Sequence, residues 1–388
     1  MRCSNWGISV IHSTMKKLFT LLTLLAFITS CKNEIPRNSK NLNVDIGKLL
    51  TGFNVLESSN VNYVPLNIPD TIFFGGIDHI KVYDDMIFLH DEGQTNSVTI
   101  INQDGQYITQ LKKIGNGPDQ YTSLDAFAYD KSKKVLSIYD RSKLSIYHYT
   151  FPDLRLINNF LLNRYIMNME YIDDETIMII SENEINQKGK YEGVLYISKE
   201  GKLLESDLPI GNDVSSIELS FPNTITKISD STYYAHPHEI TTIYKMGKTV
   251  KPIYKIDFGN NKIPEKYWPV DRASEFERSL AEGNKAVWVQ NLILNEENLA
   301  FSFLYKDPET RYFYYQNFKD SSEHIYKGYN IKNSTYTLPH PIGSNGTDYF
   351  SLIYAENIDS TQFENDEFLR TLRKSKIGGG YILVTYKP

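Results

Sequence analysis

The sequence predicts an all-β protein: a six-bladed β-propeller with two short helical inserts and an N-terminal lipoprotein signal peptide. Six short apolar segments, each ending in a polar cluster, recur about 40–70 residues apart, which is the repeat length of a propeller blade. Hairpin-like segments lie between them, and a charged, apolar and cysteine-containing stretch precedes them all. The six segments are Met86–Glu92, Val135–Ser142, Thr176–Asn183, Thr232–Glu239, Leu299–Lys306 and Tyr349–Asn357.

The intervening segments read as a strand, a turn and a second strand. Val98–Ile108 and Val194–Leu204 align without a gap and carry Asp-Gly and Glu-Gly at the turn. Ile146–Leu156 lies midway between them, and Thr242–Pro252 and Tyr312–Ile325 continue the series. Turn residues between runs of β-branched and aromatic residues are typical of β-hairpins.

These signals divide the chain into blades at roughly 75–115, 121–163, 164–212, 217–260, 285–329 and 334–388. Two stretches with helical spacing, 262–284 and Ser360–Lys376, are predicted to be inserts in this ring. A propeller must join its ends, because otherwise one blade keeps an open sheet edge. Asn62–Leu66 is therefore predicted to complete the last blade beside Tyr381–Tyr386.

The N-terminal region has the features of a lipoprotein signal. Lys16 and Lys17 precede the apolar run Leu18–Ile28, which is short for a membrane span but typical of a signal-peptide core. Small residues then precede Cys31, where we expect acyl chains to be attached and to anchor the protein to a membrane. A short buried helix is the alternative structural interpretation of this run.

We therefore predict four regions. Residues 1–14 are interpreted as a mis-assigned start, residues 15–30 as the signal peptide, residues 31–60 as a tether, and residues 61–388 as the propeller. The expected location is the cell envelope, with the chain lipid-anchored to the outer membrane. Whether it faces the periplasm or the cell surface is left open.

The net charge and the tyrosine content bear on the kind of ligand that the protein could bind. The net charge is −6, and loss of residues 1–30 would remove three basic residues and no acid. A chain this acidic and without basic clusters is not expected to bind nucleic acid. The 28 tyrosines suit the packing of twisted sheets, although tyrosine also suits sugar-binding surfaces.

One junction resembles a known family. In Ile114–Asp130, the residues Gly115, Gly117, Pro118 and Tyr121 match the junction between the first and second blades of six-bladed β-propeller lipoproteins of Bacteroidota. This family is related to NHL-type propellers and has no general assigned activity. The resemblance implies the fold and an envelope location, and it implies no chemistry. Gln120 stands where the family usually has an acid.

The polar ends of the six segments are the candidate ligand site. In a propeller the loops after the second strand of each blade gather on one face, so we expect these residues to form a rim around the central channel. The alternative is that strand ends are polar simply because they meet water. The candidate rim residues are His90, Asp91, Asp140, Arg141, Glu182, His236, His238, Glu239, Tyr305 and Glu356.

His236 and His238 are the strongest local metal candidates. Two histidines two positions apart on a strand point to the same side, and with an acid they could hold a divalent metal. A surface turn is the alternative, and no cofactor is otherwise predicted.

The sequence favours a binding or scaffold propeller, anchored to the membrane by lipid, with a glycan, peptide or protein partner. It contains no nucleophile elbow, no metalloprotease motif and no phosphate loop, so catalytic residues are not assigned. A propeller hydrolase or lyase acting on polysaccharide is the first alternative. A structural subunit of an envelope complex is the second, and an exposed apolar patch on a blade edge would point to it.

Overall fold

The computed structural model describes residues 39–73, 75–181, 191–210, 225–228, 231–236, 241–247, 249–263, 278–280, 282–307, 309–332, 336–355, 366–377 and 380–388. The predicted signal peptide and Cys31 lie outside these residues. Among the described residues, no helix is both long enough and apolar enough to cross a membrane.

The strands fall in a regular order along the chain. They are β1 (Lys40–Asn43), β2 (Leu50–Leu56), β3 (Val61–Pro65), β4 (His79–Tyr83), β5 (Met86–Asp91), β6 (Ser97–Asn102), β7 (Tyr107–Leu111), β8 (Ala126–Asp130), β9 (Val135–Asp140), β10 (Ser145–Thr150), β11 (Leu156–Leu161), β12 (Ile166–Tyr171), β13 (Thr176–Ser181), β14 (Tyr191–Ser198), β15 (Leu203–Ile210), β16 (Ile225–Ile228), β17 (Ser231–His236), β18 (Thr241–Met246), β19 (Lys251–Asp257), β20 (Ala286–Leu294), β21 (Asn298–Tyr305), β22 (Arg311–Asn317), β23 (Glu323–Ile331), β24 (Gly343–Ser344), β25 (Tyr349–Tyr354) and β26 (Tyr381–Tyr386). The helices are α1 (Ile46–Leu49) and α2 (Asp366–Ile377), with single 3-10 turns at Ser58–Asn60 and Gly259–Asn261.

These strands form six sheets, one for each predicted blade. Blades one to five are built on β4–β7, β8–β11, β12–β15, β16–β19 and β20–β23, and blade six combines β24, β25, β26 and β3. Consecutive strands within each blade pair antiparallel. Each of the six apolar segments forms the second strand of its blade, and each predicted hairpin joins the third strand to the fourth. The six-bladed prediction is confirmed.

The ring closes as the sequence predicted. Strand β3 pairs antiparallel with β26, and the register places Val61 opposite Tyr386 and Pro65 opposite Ile382. The first strand of the core and the last strand of the chain thus share one sheet, which leaves neither as an open edge in the ring.

The tether prediction was too long. Residues Lys40–Asn43 run parallel to β19, and Leu50–Leu56 run parallel to β23, so both strands extend blades four and five by a fifth, outer strand. Leu42, Val44 and Ile46 are buried in the core cluster of these blades. Leu42 lies in β1, Val44 follows it and Ile46 begins α1, and burial of these three side chains holds the segment onto the propeller.

Tyrosine packs inside the sheets. Seven tyrosines are among the largest fully buried side chains of the described residues: Tyr121, Tyr139, Tyr149, Tyr314, Tyr329, Tyr349 and Tyr386. Several reach backbone carbonyls with their hydroxyls, as in the 2.8 Å bond that Tyr139 donates to Arg164 O. The packing interpretation therefore accounts for these tyrosines.

The second helical insert is present as α2, whose Leu372 packs against the core of blade six. Of the first insert, residues 278–280 and 282 are helical, and residues 264–277 lie outside the described part of the chain.

Candidate functional site

The first strands of the blades surround the centre of the propeller. Strands β4 and β24, β8 and β12, β16 and β20, and β20 and β24 contact one another from neighbouring blades. The first and second strands of a blade are antiparallel, so the first strand starts on the face of the propeller where the second strand ends. The candidate site is therefore built by the starts of first strands and the loops that follow second strands.

Three potential metal ligands meet where β4 starts and β5 ends. His79 and His90 are direct cross-strand partners, and their ring centroids lie 5.6 Å apart. Glu92 follows β5 immediately, and its Oε2 lies 3.7 Å from His79 Nε2. One nitrogen of each ring and one carboxylate oxygen of Glu92 all lie within 4.8 Å of one another.

The environment of His90 fixes its tautomer. Its Nε2 lies 2.8 Å from Leu124 O, and a carbonyl oxygen only accepts, so Nε2 carries the proton and Nδ1 the lone pair. The ring is fully buried, edge-on to Phe127. Burial, and after it the neighbouring His79, lowers the pKa of His90 to about 3, so the ring is neutral at ordinary pH.

Asp91 organises loops instead of facing solvent. It is buried and accepts hydrogen bonds from the backbone N–H of Gly75 at 2.7 Å, Gln94 at 2.9 Å and Thr95 at 3.0 Å. Burial raises the pKa of Asp91, but these hydrogen bonds outweigh it and hold the pKa below its ordinary value. Its carboxylate joins the loop entering β4 to the turn leaving β5.

Asp140 repeats this arrangement one blade later. The buried carboxylate accepts from Thr122 N at 2.6 Å and from Lys143 N at 3.1 Å. In blade five, Asp307 likewise accepts from the backbone N–H groups of Glu309 and Thr310. In blades one, two and five, an acid at or just after the end of the second strand thus closes a turn. The side chains of Asp91, Asp140 and His90 are buried, and their use as a ligand-binding rim stays a prediction.

Two further rim candidates are described by the structure: Arg141 is partly accessible to solvent, and Tyr305 is 9% exposed. Arg141 is half-buried, with its guanidinium carbon 5.2 Å from the ring centroid of Tyr165, which is 46% exposed. Tyr305 is buried against Tyr312, and Lys306 lies over its ring at 5.4 Å. The other rim candidates cannot be placed: the side chain of His236, and Glu182, His238, Glu239 and Glu356 entirely, lie outside the described residues.

The family-like junction is a structural loop. Tyr121 is fully buried and donates its hydroxyl to Asn96 O at 2.8 Å. Gln120 Oε1 accepts from Gly117 N at 2.8 Å, and a Cβ on Gly115 would come within 2.2 Å of the same oxygen. The amide oxygen therefore acts as the acceptor at this position, and the glycines make room for it.

A second polar cluster lies deeper, between the first strands of three blades. Lys81 Nζ donates to Phe127 O at 2.7 Å and to Met169 O at 3.0 Å, and lies 3.6 Å from Glu170 Oε2. Tyr83 donates its hydroxyl to the same carboxylate oxygen at 2.8 Å. Burial lowers the pKa of Lys81 against the opposing effect of Glu170, and burial raises the pKa of Tyr83.

Glu92 ends one of the six apolar segments of the sequence, whereas His79 lies in none of them. The available signal was the two-residue turn at Asp84 and Asp85, which fixes the register of the β4–β5 hairpin. Counting outward from Tyr83 and Met86 brings His79 opposite His90.

The six sheets and the pairing of β3 with β26 define a six-bladed β-propeller. The chain belongs to a family described as a domain of unknown function (DUF4934), whose profile matches residues 53–387. A search among curated proteins finds no match. A crystal structure of a protein from Bacteroides fragilis, described as exported, is similar over 90% of this chain and 99% of that chain, with 15% identity and a TM-score of 0.69. A member of the DUF4221 family from Bacteroides vulgatus matches 84% of this chain and 95% of its own, with 10% identity and a TM-score of 0.46.

Proposed function

We infer that this protein is a lipid-anchored binding propeller of the bacterial cell envelope, and that its ligand engages the face where the second strands end. The observation that carries this proposal is the role of Asp91 and Asp140. Both carboxylates are buried and hydrogen-bonded to loop backbone, so they hold the loops of blades one and two on that face in place instead of supplying an accessible acid or base. A preformed loop surface favours binding, because little conformational entropy is lost when a ligand docks.

The envelope location rests on the sequence before the propeller. Lys16 and Lys17, the apolar run and Cys31 stand in the order of a lipoprotein signal. The similar Bacteroides fragilis protein is described as exported, which agrees with that order. Incorporation of labelled fatty acid into the protein, and its loss in Cys31→Ser, tests the anchor.

Arg141 and Tyr165 are the residues that we expect a ligand to contact. The loop after β9 and the loop before β12 both open on this face, and a guanidinium over an exposed aromatic ring is a surface that suits sugar rings and peptide groups. A glycan is the ligand class proposed, and a peptide is the next outcome to test.

A thermal-shift screen against envelope glycans and peptidoglycan fragments provides the test, because a ligand that binds only the native state raises the melting temperature. We expect Arg141→Ala to abolish the shift that a bound glycan produces. Lys306→Ala is the matched control, since Lys306 lies over Tyr305 in a similar cation–aromatic pair of blade five. A shift that Lys306→Ala abolishes and Arg141→Ala preserves would contradict the proposed surface.

One observation favours a second role, as a structural subunit. The outer strands of blades two and three expose apolar side chains: Ile157 and Leu161 on β11 are 51% and 68% exposed, and Leu203 and Leu204 on β15 are 46% and 52% exposed. Apolar side chains gathered on outer edge strands are typical of protein contacts. We then expect a partner that cross-links to the unaltered protein in cells to be lost from Leu161→Glu. The rise in melting temperature that a bound glycan produces should be the same in both proteins.

A further inference from the structure

We propose that His79, His90 and Glu92 form a binding site for a divalent transition-metal ion, with zinc as the expected ion. The site lies where β4 starts and β5 ends, and its ligands are other residues than His236 and His238, the pair that the sequence singled out. It is a binding site in its own right and does not depend on the glycan surface.

The backbone brings the three ligands together. Direct pairing of His79 with His90 puts both rings on the same side of the β4–β5 hairpin, and Glu92 lies one residue beyond the end of β5. Ligand atoms around a tetrahedral zinc ion lie about 3.4 Å apart, given bonds of about 2.0–2.2 Å. His79 Nε2 and Glu92 Oε2 are already 3.7 Å apart, and the whole set fits within 4.8 Å, so small side-chain rotations complete the geometry.

The hydrogen bond of His90 is a second, independent observation. Metal-binding histidines almost always donate their other ring N–H to a carboxylate or a backbone carbonyl, which fixes the tautomer and the ring orientation. His90 does this through Nε2 and Leu124 O, at 2.8 Å. The bond leaves Nδ1 with the lone pair, and the buried ring is held in place by Phe127 on one side.

The ligand types select the ion. Two imidazoles and one carboxylate are a set that zinc uses at sites with an open fourth position, whereas calcium and magnesium require oxygen ligands. The affinity of such a set rises from manganese through cobalt to zinc and copper. The side chain of Glu92 is 37% exposed and that of His79 17% exposed, so an ion could enter from the solvent side.

The test is a titration of the purified, chelator-treated protein with zinc by calorimetry and with cobalt by visible spectroscopy. We expect one ion per chain, a ligand-field spectrum of cobalt in low coordination, and no binding of magnesium at the same concentrations. Glu92→Gln and His79→Ala should lower the affinity for zinc by at least about 10–100-fold. Loss of a residue that only hydrogen-bonds to a metal ligand already has an effect of this size.

Two controls keep the result interpretable. His324→Ala removes a histidine that stacks on Tyr326 in blade five and should bind zinc as the unaltered protein does. Unchanged melting temperatures of the metal-free Glu92→Gln variant show that it folds. The proposal is overturned if no ion binds, if Glu92→Gln and His79→Ala bind zinc as well as the unaltered protein, or if His236→Ala with His238→Ala abolishes binding instead.

Discussion

Lys81 Nζ lies 3.6 Å from Glu170 Oε2, and this pair links the first strand of blade one to the first strand of blade three. The same ammonium donates to the carbonyl of Phe127 in blade two, so one side chain joins three blades near the centre of the ring. Glu170 is buried, and Tyr83 adds a hydrogen bond to its carboxylate. The inner ring of a propeller is held mainly by sheet packing, and this cluster adds a polar contact across it.

Replacing Lys81 with methionine should destabilise the fold strongly. The substitution keeps the aliphatic length and leaves the Glu170 carboxylate buried without its cation, which typically costs about 3–5 kcal/mol. Urea denaturation followed by tryptophan fluorescence measures the change. Lys332→Met is the control, because its pair with Glu57 is more than half exposed and is worth about 0–1 kcal/mol.

The double variant Lys81→Met with Glu170→Gln sharpens this test. Removal of the buried charge together with its partner should recover part of the lost stability, since the penalty lies mainly in an unpaired charge. Equal losses for Lys81→Met and Lys332→Met would mean that the cluster is solvated and does not join the blades.

Gly105 is predicted to be irreplaceable where the first blade meets the closing strand. Its φ is +76°, and a Cβ there would lie 2.3 Å from Pro65 O, the last residue of β3. Gly105→Ala should therefore lower the melting temperature more than Gly259→Ala. Gly259 also has a positive φ, of +56°, but a Cβ there meets nothing within 4 Å, so its alanine variant shows the conformational cost alone, about 1–2 kcal/mol. Equal decreases in melting temperature at the two glycines would show that β3 moves away from the added methyl group without a loss of stability.

The fold could be predicted because its signals are local and repeated. Each second strand is an apolar run with a polar end, and each hairpin carries its own turn residues, so the blade count follows from sequence spacing. The outer strand β1 was missed because its four residues, Lys40–Asn43, include a single apolar side chain, Leu42. One apolar residue in a polar stretch gives no alternation that could separate a strand from a tether.

The site was less predictable, because its residues depend on partners distant in the chain. Asp91 looked like an exposed rim acid, but the N–H of Gly75, which enters from the previous loop, makes it a buried turn residue. Glu170 reads as an ordinary acid in β12, and nothing near it in sequence indicates Lys81. Only the hairpin register of His79 and His90 could have been read locally, from the turn between their strands.

His148 should make the protein acid-sensitive. It is buried, hydrogen-bonded to Ser137 Oγ and Lys199 O, and burial lowers its pKa below the ordinary value of 6.5. As the pH falls below 6.5 the unfolded chain binds a proton that the folded chain does not, so the free energy of unfolding decreases until the pH reaches the folded pKa. Above 6.5 this effect is absent.

Urea denaturation at pH 7.5 and at pH 5.5 measures the loss, and His148→Gln should show a smaller loss than the unaltered protein. Part of the loss should remain, because burial also lowers the pKa values of His340 and His90. An identical difference between the two pH values in His148→Gln would mean that this histidine binds its proton equally in both states.

The outer segment 40–56 should contribute to the stability of the propeller. Ile46 is 1% exposed in the core cluster of blades four and five, so Ile46→Ala should cost about 2–5 kcal/mol, the usual loss for a buried isoleucine. Val55→Ala on β2 is the matched control: Val55 is 58% exposed, and its truncation should change the free energy of unfolding by less than about 0.5 kcal/mol. Chemical denaturation of both variants measures the change. If residues 40–56 were only a tether, neither Ile46→Ala nor Val55→Ala would change the free energy of unfolding. A larger loss for Ile46→Ala than for Val55→Ala would show that the segment before β2 is part of the folded unit, because its apolar side chains pack in the core cluster of blades four and five.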